Sequence, residues 1–245
     1  MNKRAWSKSS RGFSLIELMV AMLLGLIVLL GVTQILISAK NTYLSQNSSA
    51  AMQEDARYVL SKITQEVRMV GMFGCLSSVT DASTAGDFSP AFLAPITYTA
   101  SSSGGTTSNV LSLTTADVGT AGKAPTWTVQ SDCVTTAIAY TGSKTAVTGL
   151  INFPVRKVVY TFNGTQLLTT IGSTASVLVN NVQAFNVTFG MATAASPYAI
   201  TSYTAAPSSP DLIRSVRITL TLTDPKGRAA NQTFNVVAAL RNRLK

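Results

Sequence analysis

Residues 13–32 are apolar or glycine at every position except Ser14 and Glu17. Twenty residues in an α-helix rise ~30 Å, the thickness of a bilayer core, so this stretch predicts a membrane-length helix. Further on the pattern becomes periodic. Ala56, Val59, Leu60, Ile63, Val67 and Val70 recur at steps of three and four, which predicts an amphipathic helix with one buried face. Arg57, Lys62, Glu66 and Arg68 fall on its other faces, and Lys62 and Glu66 are spaced for an i,i+4 ion pair. The first proline is Pro90, and nothing between Phe13 and about Val70 stops a helix. The expectation is one long helix, softened at most by Gly25 and Gly31 and ended near Gly71 and Gly74.

Past Cys75 the composition shifts to Ser, Thr, Gly, Ala and β-branched residues. SSSGGTTSN, residues 101–109, reads as a low-complexity loop. Strands are expected over 110–114, 126–130, 134–140, 155–162, 166–170, 182–189, 213–223 and 233–240. Asn163-Gly164 between two apolar runs signals a hairpin through a type I′ turn. Val216, Ile218, Leu220 and Leu222 alternate with Arg217, Thr219 and Thr221, so that strand has one buried and one wet face. The turn at 224–228 then returns the chain to a last strand. A long helix followed by an antiparallel sheet gives an α+β fold.

Charge orients the first helix. Lys3, Arg4, Lys8 and Arg11 precede it with no acid among residues 1–12, which places that end in the cytoplasm and the rest of the chain outside. The remaining fifteen basic residues face ten acids with no basic block interleaved with aromatics, so no nucleic acid partner is predicted. A secretory signal peptide would carry a small-residue cleavage site after its apolar core. None is convincing here; the distinctive junction, Gly12–Phe13, lies in front of the core. An ordinary signal anchor explains length and flank but not Glu17, since an acid at a membrane helix centre costs about 2.5–3.5 kcal/mol.

The chain has no histidine, which excludes imidazole catalysis and histidine metal sites. Glu54-Asp55 is the one close acidic pair and sits on the helix, and no Asp/Asn-dense calcium loop occurs, so neither enzyme, metal nor cofactor is predicted. Cys75 and Cys133 are too few for a zinc site. In an exported domain they read as one disulfide, the alternative being two unpaired buried thiols.

Gly12-Phe13-Ser14-Leu15-Ile16-Glu17, behind a short basic leader and ahead of the apolar run, resembles the prepilin signature of type IV pilins and type II secretion pseudopilins. The resemblance implies a leader of residues 1–12, cleavage between Gly12 and Phe13 by a membrane prepilin peptidase, and N-methylation of Phe13. Residues 13–72 become the long helix, 13–37 in the membrane or filament core and 38–72 amphipathic, and 73–245 the exported domain. Glu17 becomes the retained assembly carboxylate, facing the new amine of a neighbouring subunit. Relatives often carry a proline near Gln34, which this chain lacks, so a kink there is not expected.

Downstream, Arg57-Tyr58, the run from Glu66 to Cys75, Ser131-Asp132-Cys133, Arg214–Ile218 and Leu240-Arg241-Asn242-Arg243 are similar to segments of PilW-type minor pilins. That resemblance implies a structural subunit that primes pilus assembly at the tip, with other minor pilins, the major pilin and a large tip adhesin as partners. Its location would be the inner membrane with a periplasmic domain, then the extracellular pilus. The J-type pseudopilin of type II secretion is the alternative, and an anchored exported binding domain a further one.

Overall fold

The computed structural model describes residues 12–103, 106–117 and 124–241; the basic leader residues and the terminal 242–243 of the closing motif lie outside them. The described chain divides into two compact units at Ser48/Ser49.

Helix α1, Leu15–Met69, runs unbroken through the region of Gln34. In its first unit the side chains of 13–37 are exposed, and among the described residues this is the helix long and apolar enough to cross a membrane. In the second unit Met52, Ala56, Val59, Leu60, Ile63 and Val67 form the buried stripe that the periodicity predicts. Gly71 ends the run. Its φ of 71° is a left-handed conformation that costs glycine little, and its N–H donates to the Thr114 carbonyl at 3.3 Å.

Twelve strands follow among the described residues. β1 (Thr80–Asp81), β2 (Ile96–Ser103), β3 (Thr106–Ala116), β4 (Trp127–Ser131), β5 (Ala137–Thr141), β6 (Ile151–Phe162), β7 (Gln166–Ile171) and β8 (Thr174–Asn180) build the first sheet, with a short helix α2 (Phe88–Leu93) between β1 and β2. β9 (Val182–Met191), β10 (Ser202–Thr204), β11 (Ile213–Leu222) and β12 (Gln232–Ala239) build the second, in the order β10-β9-β11-β12. Among the described residues these strands pair antiparallel, except the two residues of β1 beside β5.

β6 organises the first sheet. One edge pairs with β3 from Val155 to Phe162, while the other serves β4 over 151–155 and then β7 over 158–162. The sheet therefore forks. The main core joins the stripe of α1 to the inner faces of both sheets, through Leu111, Leu113, Tyr160, Phe185, Phe189, Ile218 and Leu220 among others. The β4–β5 branch has a smaller core of Phe88, Trp127, Val129, Ala139 and Val155. The chain is α+β, a long N-terminal helix packed on a largely antiparallel sheet domain.

Four local expectations are corrected. The run 101–109 is not simply a loop: β2 and β3 pair Ser101 with Ser108, Ser102 with Thr107 and Ser103 with Thr106, because Ser and Thr satisfy a pleated ladder without an apolar signal. The 163–166 hairpin is not type I′, since Asn163 keeps a negative φ. Its Oδ1 instead accepts the N–H groups of Thr165 and Gln166, an Asx turn in which only Gly164 is left-handed. The strand expected from Val134 starts at Ala137. Glu66 does not lie on a solvent face pairing with Lys62; it is buried against Arg156.

Candidate functional site

The sequence-derived site residues fall into two groups. Gly12, Phe13 and Glu17 lie in the first unit, and Cys75 and Cys133 in the second. Gly12, Phe13 and Ser14 precede the first helical residue, and the Ser14 carbonyl accepts the opening hydrogen bonds from Glu17 N–H (3.0 Å) and Leu18 N–H (3.2 Å). The Gly12–Phe13 peptide is thus non-helical, exposed backbone immediately before the helix. Glu17 sits in the first turn, where the unpaired N–H groups of a helix favour a carboxylate. It is four residues beyond Phe13, which itself precedes the helix. Its neighbours Leu15, Ile16, Leu18, Met19 and Val20 are all exposed apolar side chains, and among the described residues the Glu17 carboxylate has no ion-pair partner.

Cys75 and Cys133 are joined in a disulfide with their Cα atoms 5.6 Å apart. The bond ties the segment leaving α1 to the β4–β5 loop. That loop is braced from within. Asp132 Oδ1 accepts the N–H groups of Val134, Thr135 and Thr136 at 2.8–2.9 Å, and its Oδ2 accepts the Thr135 hydroxyl at 2.8 Å. The Ser131 hydroxyl accepts Cys133 N–H at 2.9 Å, which holds Cys133 in its left-handed conformation, φ 61°. The backbone bonds from Thr136, Val134 and Thr135 hold the Asp132 carboxyl well below the usual carboxylate range. Neither role was read from the sequence, although a serine and an aspartate directly before a cysteine, with threonines two and three residues later, are an Asx-turn signal.

A third arrangement escaped sequence reading. Arg156 on β6 directs Nη2 at both oxygens of Glu66, 3.2 Å from each, and both side chains are buried. Tyr160 lies beside them; burial pushes its hydroxyl pKa up, the Glu66 charge adds to this, and the Arg156 charge opposes it. This pair sets how the last turns of α1 seat on β6. Among the described residues no three His, Cys, Asp or Glu side chains are grouped to hold a metal ion.

Residues 7–33 match the family described as the prokaryotic N-terminal methylation motif, a match that spans the Gly12–Phe13 junction, Glu17 and the apolar run. The chain carries a prokaryotic N-terminal methylation motif. That motif supports a type IV pilin- or pseudopilin-like precursor, with processing by a prepilin peptidase, pilus-type assembly with other pilins, and anchoring through the apolar helix. No curated protein matches the chain.

Proposed function

We propose that the protein is a PilW-type minor pilin, a structural subunit that helps initiate a type IV pilus and resides at its tip. The observation that carries the reading is the methylation motif at residues 7–33, within which an acid, Glu17, finds no counter-ion among the described residues of its own chain. Prepilin peptidase cuts between Gly12 and Phe13, and the new amine of Phe13 is methylated. In the assembled fibre the amine of an adjoining subunit faces Glu17. Such a pair adds little net stability, because desolvation offsets attraction, but an unpaired member is costly. The pair therefore selects one axial register.

The disulfide supports a domain that matures in an oxidising compartment, here the periplasm. The similarity of the segment ending at Cys75 favours the PilW type over the J-type pseudopilin. Partners are other minor pilins, the major pilin and a tip adhesin.

The test is to delete the gene in its host and complement it with wild type or Glu17→Gln. Wild type restores pilus number and is recovered in trace amounts from sheared pili. Glu17→Gln is inserted and trimmed but absent from the sheared fraction. Normal piliation in the deletion, with loss of protein secretion instead, would replace the minor pilin by the secretion pseudopilin.

A further inference from the structure

We infer that the free edge of β12 is a docking site for an extended segment of a second protein, which adds as a further strand to the second sheet. This inference does not depend on processing at the N-terminus.

β12 pairs with β11 through eight consecutive residue pairs, from Ser215 with Ala239 to Leu222 with Gln232, without a register shift. No described strand lies along its other side. Sheet edges are normally blunted by shortness, bulges, proline or charge. Three other edges here are: β1 has two residues and β10 three, and β8 carries a register shift against β7. β2, like β12, has no charge, proline or register shift, but it leaves the core after Tyr98, with Ala100 and Ser101 exposed, so its far half has no apolar face for a new strand to cover. β12 has none of these devices: Gln-Thr-Phe-Asn-Val-Val-Ala-Ala contains no charge and no proline.

Its inward face is also unfinished. On β11 the inward residues Val216, Ile218 and Leu220 are fully buried. Of their register partners on β12, Ala238 beside Val216 is fully buried, but Val236 beside Ile218 and Phe234 beside Leu220 pack on the same core and are only partly buried. β11 has a strand on each side and β12 has one, so the missing cover is that of a neighbouring strand. On the outward face the Thr219 hydroxyl donates to Asn235 Oδ1 at 2.6 Å and Thr221 meets Thr233 at 2.9 Å, a neutral polar ladder.

These features specify the occupant. It is a strand alternating apolar residues, to cover Phe234 and Val236, with Thr, Ser or Asn to extend the outer ladder, and it has no cation within the paired stretch. An acidic residue at one end would meet exposed Arg241 just past the strand. A second copy of this chain fits less well: antiparallel β12 strands would bring Arg241 beside the 224–228 turn of the other copy, where Asp224 is already paired with Arg228 and Lys226 is exposed.

The experiment uses the full chain in detergent micelles and a synthetic peptide, acetyl-Glu-Thr-Val-Thr-Ile-Thr-Leu-Thr-amide. Hydrogen exchange is followed across Gln232–Ala239, and affinity by fluorescence anisotropy of the labelled peptide. The expected result is peptide-dependent protection within β12, lost when alternate peptide amides are N-methylated. Val236→Lys should weaken binding about tenfold or more, because an inward lysine reaches water at an open edge but is trapped once a strand covers it. The inference is overturned if the peptide does not bind, if protection falls on β2 or β8, or if N-methylation and Val236→Lys both leave affinity unchanged. It is also overturned if β12 is already protected without peptide because the chain self-associates there.

Discussion

Helix α1 carries two informative glutamates. Glu66, in the docked end, meets the Arg156 guanidinium in the core of its own domain. Glu17, in the first turn, stands among exposed apolar side chains with no ion-pair partner among the described residues. Either acid is costly when taken from water alone. For Glu66 the fold supplies the compensating charge; in the proposed fibre Glu17 takes its compensation from the amine of another subunit. On that proposal the same residue type on the same helix reports two levels of organisation: folding in the second unit, assembly in the first.

The contrast breaks most completely at the cleavage junction. Gly12→Ala should leave residues 1–12 attached, so that no amine forms at Phe13, and the precursor should accumulate in the membrane with no assembled product. A normally shortened chain in that variant would contradict the site assignment. It would also remove the counter-ion argument for Glu17.

Within the second unit the largest effect belongs to the disulfide. Fifty-eight positions separate its cysteines, and replacing both with serine should cost ~4 kcal/mol on a loop-entropy basis. Urea unfolding followed by the fluorescence of buried Trp127 measures this loss, and the precursor should still insert and be cut. An unchanged midpoint would show that the Asp132 loop and the small core hold the branch without the bond.

Next comes the buried pair. Arg156→Leu strands the Glu66 carboxylate and should cost about 3 kcal/mol, whereas Glu66→Leu with Arg156→Leu should recover most of it. If the double variant were as unstable as the single one, Glu66 and Arg156 would not be acting as a unit.

The smallest effect is a pH dependence. The Asp132 carboxyl is held below its ordinary value by three backbone N–H groups, so the native state binds fewer protons than the unfolded chain below about pH 4. Its contribution is complete above that pH and is lost as pH falls toward the native-state value. Asp132→Asn should lower stability at pH 7, and the gap to wild type should narrow from pH 4 downward. A gap constant down to pH 2 would show that the loop does not depend on the ionised carboxylate.

How much of this was legible in the sequence follows the range of each interaction. The buried stripe of α1 and the alternating face of β11 are local periodicities, and the sequence reading places both. The glycine that ends α1 and the Asp224–Arg228 turn are local as well; Gly227 N–H donates to the Asp224 carbonyl at 2.9 Å. What escaped is non-local or polar. Glu66 and Arg156 are ninety positions apart, so spacing could offer Glu66 only Lys62 as a partner. β2 and β8 are rich in Ser, Thr and Ala and sit at edges, where little burial is needed to hold a ladder. The methylation motif was legible because its residues lie within a few positions of one another and set a charge in an apolar run. The pairing of Cys75 with Cys133 was available because the chain has two cysteines.

The most direct measurement is intact-mass and N-terminal peptide mass spectrometry of the chain purified from cells that contain a prepilin peptidase. The account predicts a polypeptide beginning at N-methylated Phe13 with residues 1–12 gone. A chain that keeps those residues, or begins at any other position, would contradict it.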